Sequence, residues 1–151
     1  MLRAVKIRLY PNNIQTTQIN KLLGCYRFVY NQTLARKINQ YKEHNISENR
    51  STLSYWLHHE LLNDFEWLKE QNTRILNQSI NDMLDAYKRF FKQQTCYPKF
   101  KSKKHSTPSF MPNSQAIKFN ESQVKLPKIG IVKLSRKNYV PIVKKYSNPR
   151  V

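Results

Sequence analysis

The sequence predicts an α+β protein, with a bundle of about four helices inserted between the strands of a small antiparallel β-domain. Three observations predict it. Apolar and polar residues alternate over 3–10 and again in short runs over 116–134. Between these regions, apolar residues recur every three or four positions in four separate stretches. Pro98, Pro108 and Pro112 then break the helical pattern where the second set of strands approaches.

In the first strand Val5, Ile7 and Leu9 point one way, and Lys6, Arg8 and Tyr10 the other. Pro11 stops it, and Asn12 or Asn13 can cap the next element. Ile14, Ile19, Leu22 and Leu23 fit one face of a first helix, which Gly24 ends or bends. Tyr26, Tyr30, Leu34, Ile38 and Tyr41 form the stripe of a second helix over about 26–42. Residues 44–49 read as a loop. Ser51 or Thr52 can cap a third helix with Leu53, Leu57, Leu61 and Phe65 on its buried side, closed by Trp67 and Leu68. Asn72 or Thr73 caps the fourth, whose stripe is Leu76, Ile80, Met83, Leu84, Tyr87 and Phe91. Short strands come next at 116–119, 123–126 and 130–134, with turns at Asn120-Glu121 and at 127–130. They need a partner, and the isolated N-terminal strand is the natural one. The resulting division is 1–11 first strand, 12–92 helical domain, 93–115 basic loop, and 116–151 remaining strands.

Charge points to the partner. The 151 residues carry a formal net charge of +18. Residues 1–87 hold 11 Lys and Arg against 8 Asp and Glu, whereas residues 88–151 hold 16 against Glu121 alone. In Tyr97-Pro98-Lys99-Phe100-Lys101-Ser102-Lys103-Lys104, basic residues alternate with aromatics. Lysines neutralise phosphates, and rings between them stack on bases or anchor the loop. The plainer reading is a solvated basic face with Tyr97 and Phe100 in the core. The scale and one-sidedness of the imbalance favour a nucleic acid, on which the loop would gain its order.

Other classes are excluded. The chain has two glycines, Gly24 and Gly130, too few for a Gly-rich phosphate loop. It has no apolar run long enough to span a membrane, and its N-terminus lacks a signal peptide's apolar core. Cys25 and Cys96 form neither a disulfide framework nor a metal pair, which fits a cytoplasmic protein. His58 and His59 are adjacent, so on a regular helix they diverge too far to share a metal easily. No histidine is placed to activate Cys25. Asp82 and Asp85 are explained by an ordinary ion pair with Lys88. Two-metal hydrolysis needs several convergent carboxylates, so no catalytic site and no cofactor are expected in this chain. The stretch 22–26 can be the turn of a DNA-binding helix-turn-helix over 12–42, with Arg27, Gln32, Arg36 and Lys37 on its second helix, or the corner of a plain helical hairpin.

Six ordered segments carry a family resemblance: Arg8-Leu9-Tyr10-Pro11-Asn12, Gly24-Cys25-Tyr26-Arg27-Phe28-Val29-Tyr30-Asn31, Trp67-Leu68-Lys69-Glu70, Ala86-Tyr87-Lys88-Arg89-Phe90-Phe91, the basic stretch from Tyr97 to Lys104, and Leu126-Pro127-Lys128-Ile129-Gly130. Together they resemble the N-terminal region of TnpB (OrfB), the RNA-guided nuclease encoded by bacterial insertion sequences. The resemblance implies a β-barrel-like wedge domain interrupted by a helical recognition domain. It also implies that the chain stops within the wedge domain, before a nuclease domain with metal-binding acids and a zinc ribbon. Divalent metal and zinc would then belong to full-length relatives only.

The implied role is binding, as a monomer, to guide RNA and target-adjacent duplex DNA, without cleavage. Lys99, Lys101, Lys103 and Lys104 would meet phosphates, flanked by Tyr97 and Phe100. By resemblance, Thr73, Arg74 and Asn77, then Met111 and Asn113, with Tyr55 from the third helix, would face the duplex. Asn suits adenine, Arg suits guanine, and an apolar contact suits a thymine methyl. Capping by Asn72 and Thr73, with Arg74 and Asn77 solvated, is the plainer explanation. Two other functions fit the composition: a stand-alone helix-turn-helix DNA-binding protein, and a basic helical module for an acidic protein partner.

Overall fold

A computed structural model describes residues 4–136 and 149–151. Arg3, at the start of the expected first strand, and residues 137–148 of the expected strand region lie outside the described residues. The chain divides into two compact units, Met1–Lys21 with Met111–Val151, and Leu22–Phe110.

The first unit holds the sheet. Its strands are β1 (Leu9–Tyr10), β2 (Lys118–Phe119), β3 (Gln123–Leu126) and β4 (Gly130–Leu134). They lie in the order β1-β4-β3-β2 with every pairing antiparallel. The N-terminal strand therefore joins the later ones, as the alternation requires. Among the described residues the sheet is open, so the barrel-like expectation fits only loosely. β1 is shorter than its alternating pattern, pairing only at Leu9↔Leu134 and Tyr10↔Lys133, with one more bond from Ser135 N–H to the Arg8 carbonyl (2.9 Å). Val124, Leu126, Val132 and Leu134 form the buried face, joined by Ile117 and Ile129. Asn120 Oδ1 closes the first turn by accepting from the backbone of Ser122 and Gln123 (3.1 and 2.7 Å). In the second turn Lys128 and Gly130 take positive φ of 60° and 94°. Glycine adopts that geometry without steric cost.

The expected break at Gly24 does not occur. A single helix, α1, runs Asn13–His44. Asn12 caps it: its Oδ1 accepts from Gln15 N–H (2.8 Å), while Gln15 Oε1 accepts from Asn12 N–H (3.0 Å). Gln15 also donates from Nε2 to the Ile131 carbonyl (2.7 Å), fastening the start of α1 to β4. Gly24 stays helical because one glycine costs about 1 kcal/mol against alanine, too little to break a helix whose next turns bury Cys25, Tyr26, Val29 and Tyr30. A Cβ added there would meet nothing within 4 Å. Gly24→Ala should therefore stabilise the chain by about 0.5–1 kcal/mol and raise Tm by roughly 2–4 °C. A lower Tm in a thermal melt would mean that residue 24 needs a turn conformation.

The second unit packs the rest of α1 against two further helical segments. α2 (Arg50–Trp56) continues through a π-helical turn (Leu57–Leu61) into the short α3 (Leu62–Asp64). The cap is Asn49, not Ser51 or Thr52. Its Oδ1 accepts from Thr52 N–H (3.0 Å), and Thr52 Oγ1 accepts from Asn49 N–H (3.1 Å). A 3₁₀ turn (Glu66–Glu70) leads to α4 (Thr73–Phe91), capped by Asn72. Among the described residues there are thus three long helical stretches rather than four.

Their core joins Val29, Tyr30 and Leu34 to Leu53, Leu57, Leu61 and Leu68, and to Leu76, Ile80, Met83 and Tyr87. The stripes hold in their middles and fail at their ends. Ile14, Tyr41 and Phe91 are 71%, 61% and 74% exposed, each beyond the reach of the packed layer. No helix among the described residues is long and apolar enough to cross a membrane.

Candidate nucleic-acid interface

The basic loop expected to order on binding is already pinned within the second unit. The Tyr97 and Tyr87 hydroxyls hydrogen-bond at 2.8 Å, and the Tyr97 ring packs edge-on against Tyr87 and Phe90. Four residues on, Asn31 of α1 grips the loop backbone. Its Nδ2 donates to the Lys101 carbonyl (2.8 Å), and its Oδ1 accepts from Lys101 N–H (2.7 Å). At the far end Phe110 is buried to 1% exposure.

Between these anchors Lys99, Lys103 and Lys104 are exposed. Lys101 lies inward, its Nζ 4.7 Å from the Tyr30 ring centroid. Burial first, and the Asp82 carboxylate second, push the Tyr30 hydroxyl's pKa up, which keeps the phenol protonated, and the ring's quadrupole attracts the ammonium. Phe100 is 57% exposed and Tyr97 46%, so neither is a core ring. Tyr97 anchors the loop, and Phe100 presents its ring to solvent.

Arg27 and Lys101 line one shallow cleft with Ser102, Ser106 and Thr107. The turn is held by Ser102 Oγ accepting from His105 N–H and Ser106 Oγ accepting from Ser102 N–H, both at 3.0 Å. Accepting those bonds leaves both hydroxyl protons available to an anion.

Two other cations of α1, Arg36 and Lys37, are engaged internally. Arg36 Nε meets both carboxylate oxygens of Glu48 (2.9 and 3.1 Å), and its Nη2 lies 2.9 Å from Oε1. Its guanidinium also covers the Trp56 ring at 5.1 Å. Lys37 donates to the Glu48 carbonyl (2.8 Å) and Ser47 Oγ (3.3 Å). Burial lowers the Lys37 pKa, and Glu48 partly offsets that. Both residues fix the 45–49 loop, rather than standing free on a recognition helix.

A second polar face joins α2 and α4. Asn77 Oδ1 accepts from Ser54 Oγ (2.7 Å), and its Nδ2 donates to the Thr73 carbonyl (3.1 Å). Nδ2 also approaches His58 Nε2 at 3.0 Å, a contact that uses the Nδ1–H tautomer of the ring. Beside it Tyr55 stacks on His59 at 4.1 Å and remains 64% exposed. Arg74 is exposed and Thr73 half-buried. Reading a base through Asn77 would require breaking this network. The sequence held no sign of it, because the π-helical turn sets His58 and His59 at angles that a regular helix would not give. Met111 and Asn113 belong to the other unit, where Asn113 Oδ1 caps a 3₁₀ turn (Ser114–Ala116) through Gln115 N–H (3.2 Å).

Residues 1–45 match the family model for the helix-turn-helix domain of OrfB of IS605 type. Over 130 residues the chain is 29% identical to "Putative RNA-guided DNA endonuclease InsQ" of Escherichia coli (strain K12), covering 85% of this chain and 32% of that protein. These matches make the chain similar to the N-terminal region of TnpB/OrfB-type proteins. A "Putative RNA-guided DNA endonuclease" of Streptomyces pristinaespiralis is 28% identical over 83% of the chain and 32% of its own length. "Virulence protein VsdF" of Salmonella dublin is 28% identical over 68% of the chain and 95% of its own length. The chain therefore spans about a third of the length of the two endonucleases it matches. Where the family model is named for a helix-turn-helix, this region has one uninterrupted helix from 13 to 44.

Proposed function

We propose that this chain is the nucleic-acid-binding part of a TnpB-type RNA-guided DNA endonuclease, holding guide RNA and target-adjacent duplex DNA without cutting either. The pinned basic loop carries this reading. Lys99, Lys103 and Lys104 are held in solvent on a segment fastened by Tyr97, Asn31 and Phe110, so little ordering is required when phosphates arrive. Phe100, exposed among them, offers a stacking ring. The α2–α4 face with Tyr55, Thr73, Arg74 and Asn77 is the surface offered to duplex DNA; Met111 and Asn113 lie in the other unit and are a separate candidate contact. Metal-dependent cleavage and any zinc site belong, on this reading, to the rest of full-length relatives. A stand-alone helix-turn-helix reading has less support, since α1 contains no turn and Arg36 and Lys37 are engaged internally.

The test is a salt series with the purified chain. Its affinity for labelled RNA and for duplex DNA is measured from 0.05 to 0.2 M salt. Each phosphate contact adds about 0.7–0.9 to the log–log slope, so the three loop lysines alone should give a slope of about two to three. A flat slope, or no binding at the lowest salt, would overturn the proposal. The chain with divalent metal and guide RNA should leave target DNA intact, and reproducible metal-dependent cuts would show a missed active site.

A further inference from the structure

The register of the sheet gathers a set of cations that the loop does not use. Cross-strand partners share a face. Lys118 pairs with Lys125, Lys125 with Ile131, Gln123 with Lys133, and Lys133 with Tyr10. All six therefore lie on the face opposite Val124, Leu126, Val132 and Leu134. The three lysines are exposed, Tyr10 is 53% exposed and Ile131 56%. Arg8 joins them, its guanidinium 5.5 Å from the centre of the Tyr10 ring. Each of β2, β3 and β4 thus brings one lysine to this face, with Arg8 just ahead of β1, and among the described residues none of the three lysines has an acidic partner.

Such an arrangement disfavours the fold. Lys118 and Lys125 are directly opposite across β2 and β3, where like charges repel. A bound polyanion relieves that repulsion. The face also carries an exposed ring beside its charges, which is how antiparallel sheets receive unpaired nucleotides: phosphates on the lysines and a base on the aromatic.

We propose that the exposed sheet face of Arg8, Tyr10, Lys118, Lys125 and Lys133 is a second binding surface, specific for a single-stranded nucleic-acid segment. This rests on the nucleic-acid reading above but uses a different unit from the basic loop. It gives Tyr10 a stacking role and the three lysines phosphate contacts.

The test is the Lys118→Gln/Lys125→Gln/Lys133→Gln variant of the whole chain, measured by thermal melting and by binding to single-stranded RNA and to duplex DNA. Tm should rise by about 1–3 °C, because the cross-strand repulsion is gone. The salt slope for the single strand should fall by about two, and affinity at 0.15 M salt roughly fiftyfold, at about 0.7 per contact. Duplex binding should change less, and Tyr10→Leu should weaken the single-strand arm alone. Lys118→Gln alone, on an edge strand, keeps the test valid if the triple variant folds poorly, and should remove about 0.7 from the slope. An unchanged single-strand slope would overturn this inference while leaving the basic loop's role intact. So would a lower Tm for Lys118→Gln, or an equal loss with duplex. A wild-type chain that binds no nucleic acid would overturn both proposals.

Discussion

Replacing Lys99, Lys101, Lys103 and Lys104 by alanine should lower nucleic-acid affinity about a hundredfold at 0.15 M salt and flatten the salt slope by about two to three units. The size follows from geometry. Lys99, Lys103 and Lys104 are exposed, and each phosphate contact is worth about 0.7–0.9 in slope. Lys101 adds less, because its ammonium is already held over Tyr30. The fold should survive, since the anchors are Tyr97, Asn31, the Lys101 backbone and Phe110, none of them a lysine side chain. An unchanged slope with an unchanged melt would move the binding surface off the loop. A companion variant, Asn31→Ala, keeps every charge and releases the grip on the Lys101 backbone, so it should weaken binding with the slope preserved.

Arg36→Ala has the second large effect, on stability rather than on binding. The Glu48 side chain is 7% exposed and its carboxylate is met by three Arg36 contacts of 2.9–3.1 Å. Removing the guanidinium leaves a buried carboxylate without its principal partner. Breaking such a pair costs about 3–5 kcal/mol when both partners are buried. Arg36 is 26% exposed, so screening reduces this to about 2–3 kcal/mol, or roughly 5–10 °C in Tm. Pairing the change with Glu48→Gln should recover part of the loss, because the stranded charge is then gone. If Arg36→Ala instead melts like the wild type and loses affinity, Arg36 is a nucleic-acid contact and the Glu48 pairing is incidental.

Elements with a strong period were legible. The hairpin of β3 and β4 alternates cleanly and lies where the pattern requires. The α4 stripe from Leu76 to Tyr87 is buried as its spacing demands. The joining of β1 to the later strands followed from the need of an isolated strand for a partner. The continuity of α1 through Gly24 was not legible, because a glycine at a helix end and one tolerated in a helix look alike in sequence. Tertiary burial of Cys25, Tyr26 and Val29 decides between them. The π-helical turn was equally hidden, since its extra residue shifts the register without altering the apolar spacing of Leu53, Leu57 and Leu61.

For the site, composition located the lysines but not the groups that hold them. Asn31 and Lys101 are 70 residues apart, and a side chain gripping a backbone leaves no pattern in either segment. Gln15 did leave a signal: a glutamine three residues after a capping asparagine is a capping box, and its spare amide reaches Ile131. The like-charged sheet face was readable only after register placed Lys118 opposite Lys125.

The proposed function has the chain hold RNA in preference to duplex DNA. The most direct measurement is competition at 0.15 M salt: the 151-residue chain is bound to a labelled RNA and displaced by unlabelled RNA, duplex DNA of equal length, or polyglutamate. The expected result is displacement by RNA at the lowest concentration, by duplex DNA at a higher one, and by polyglutamate least. Displacement by duplex DNA at a lower concentration than RNA would contradict the claim in favour of a DNA-binding module, and equal displacement by polyglutamate would contradict it in favour of an acidic protein partner.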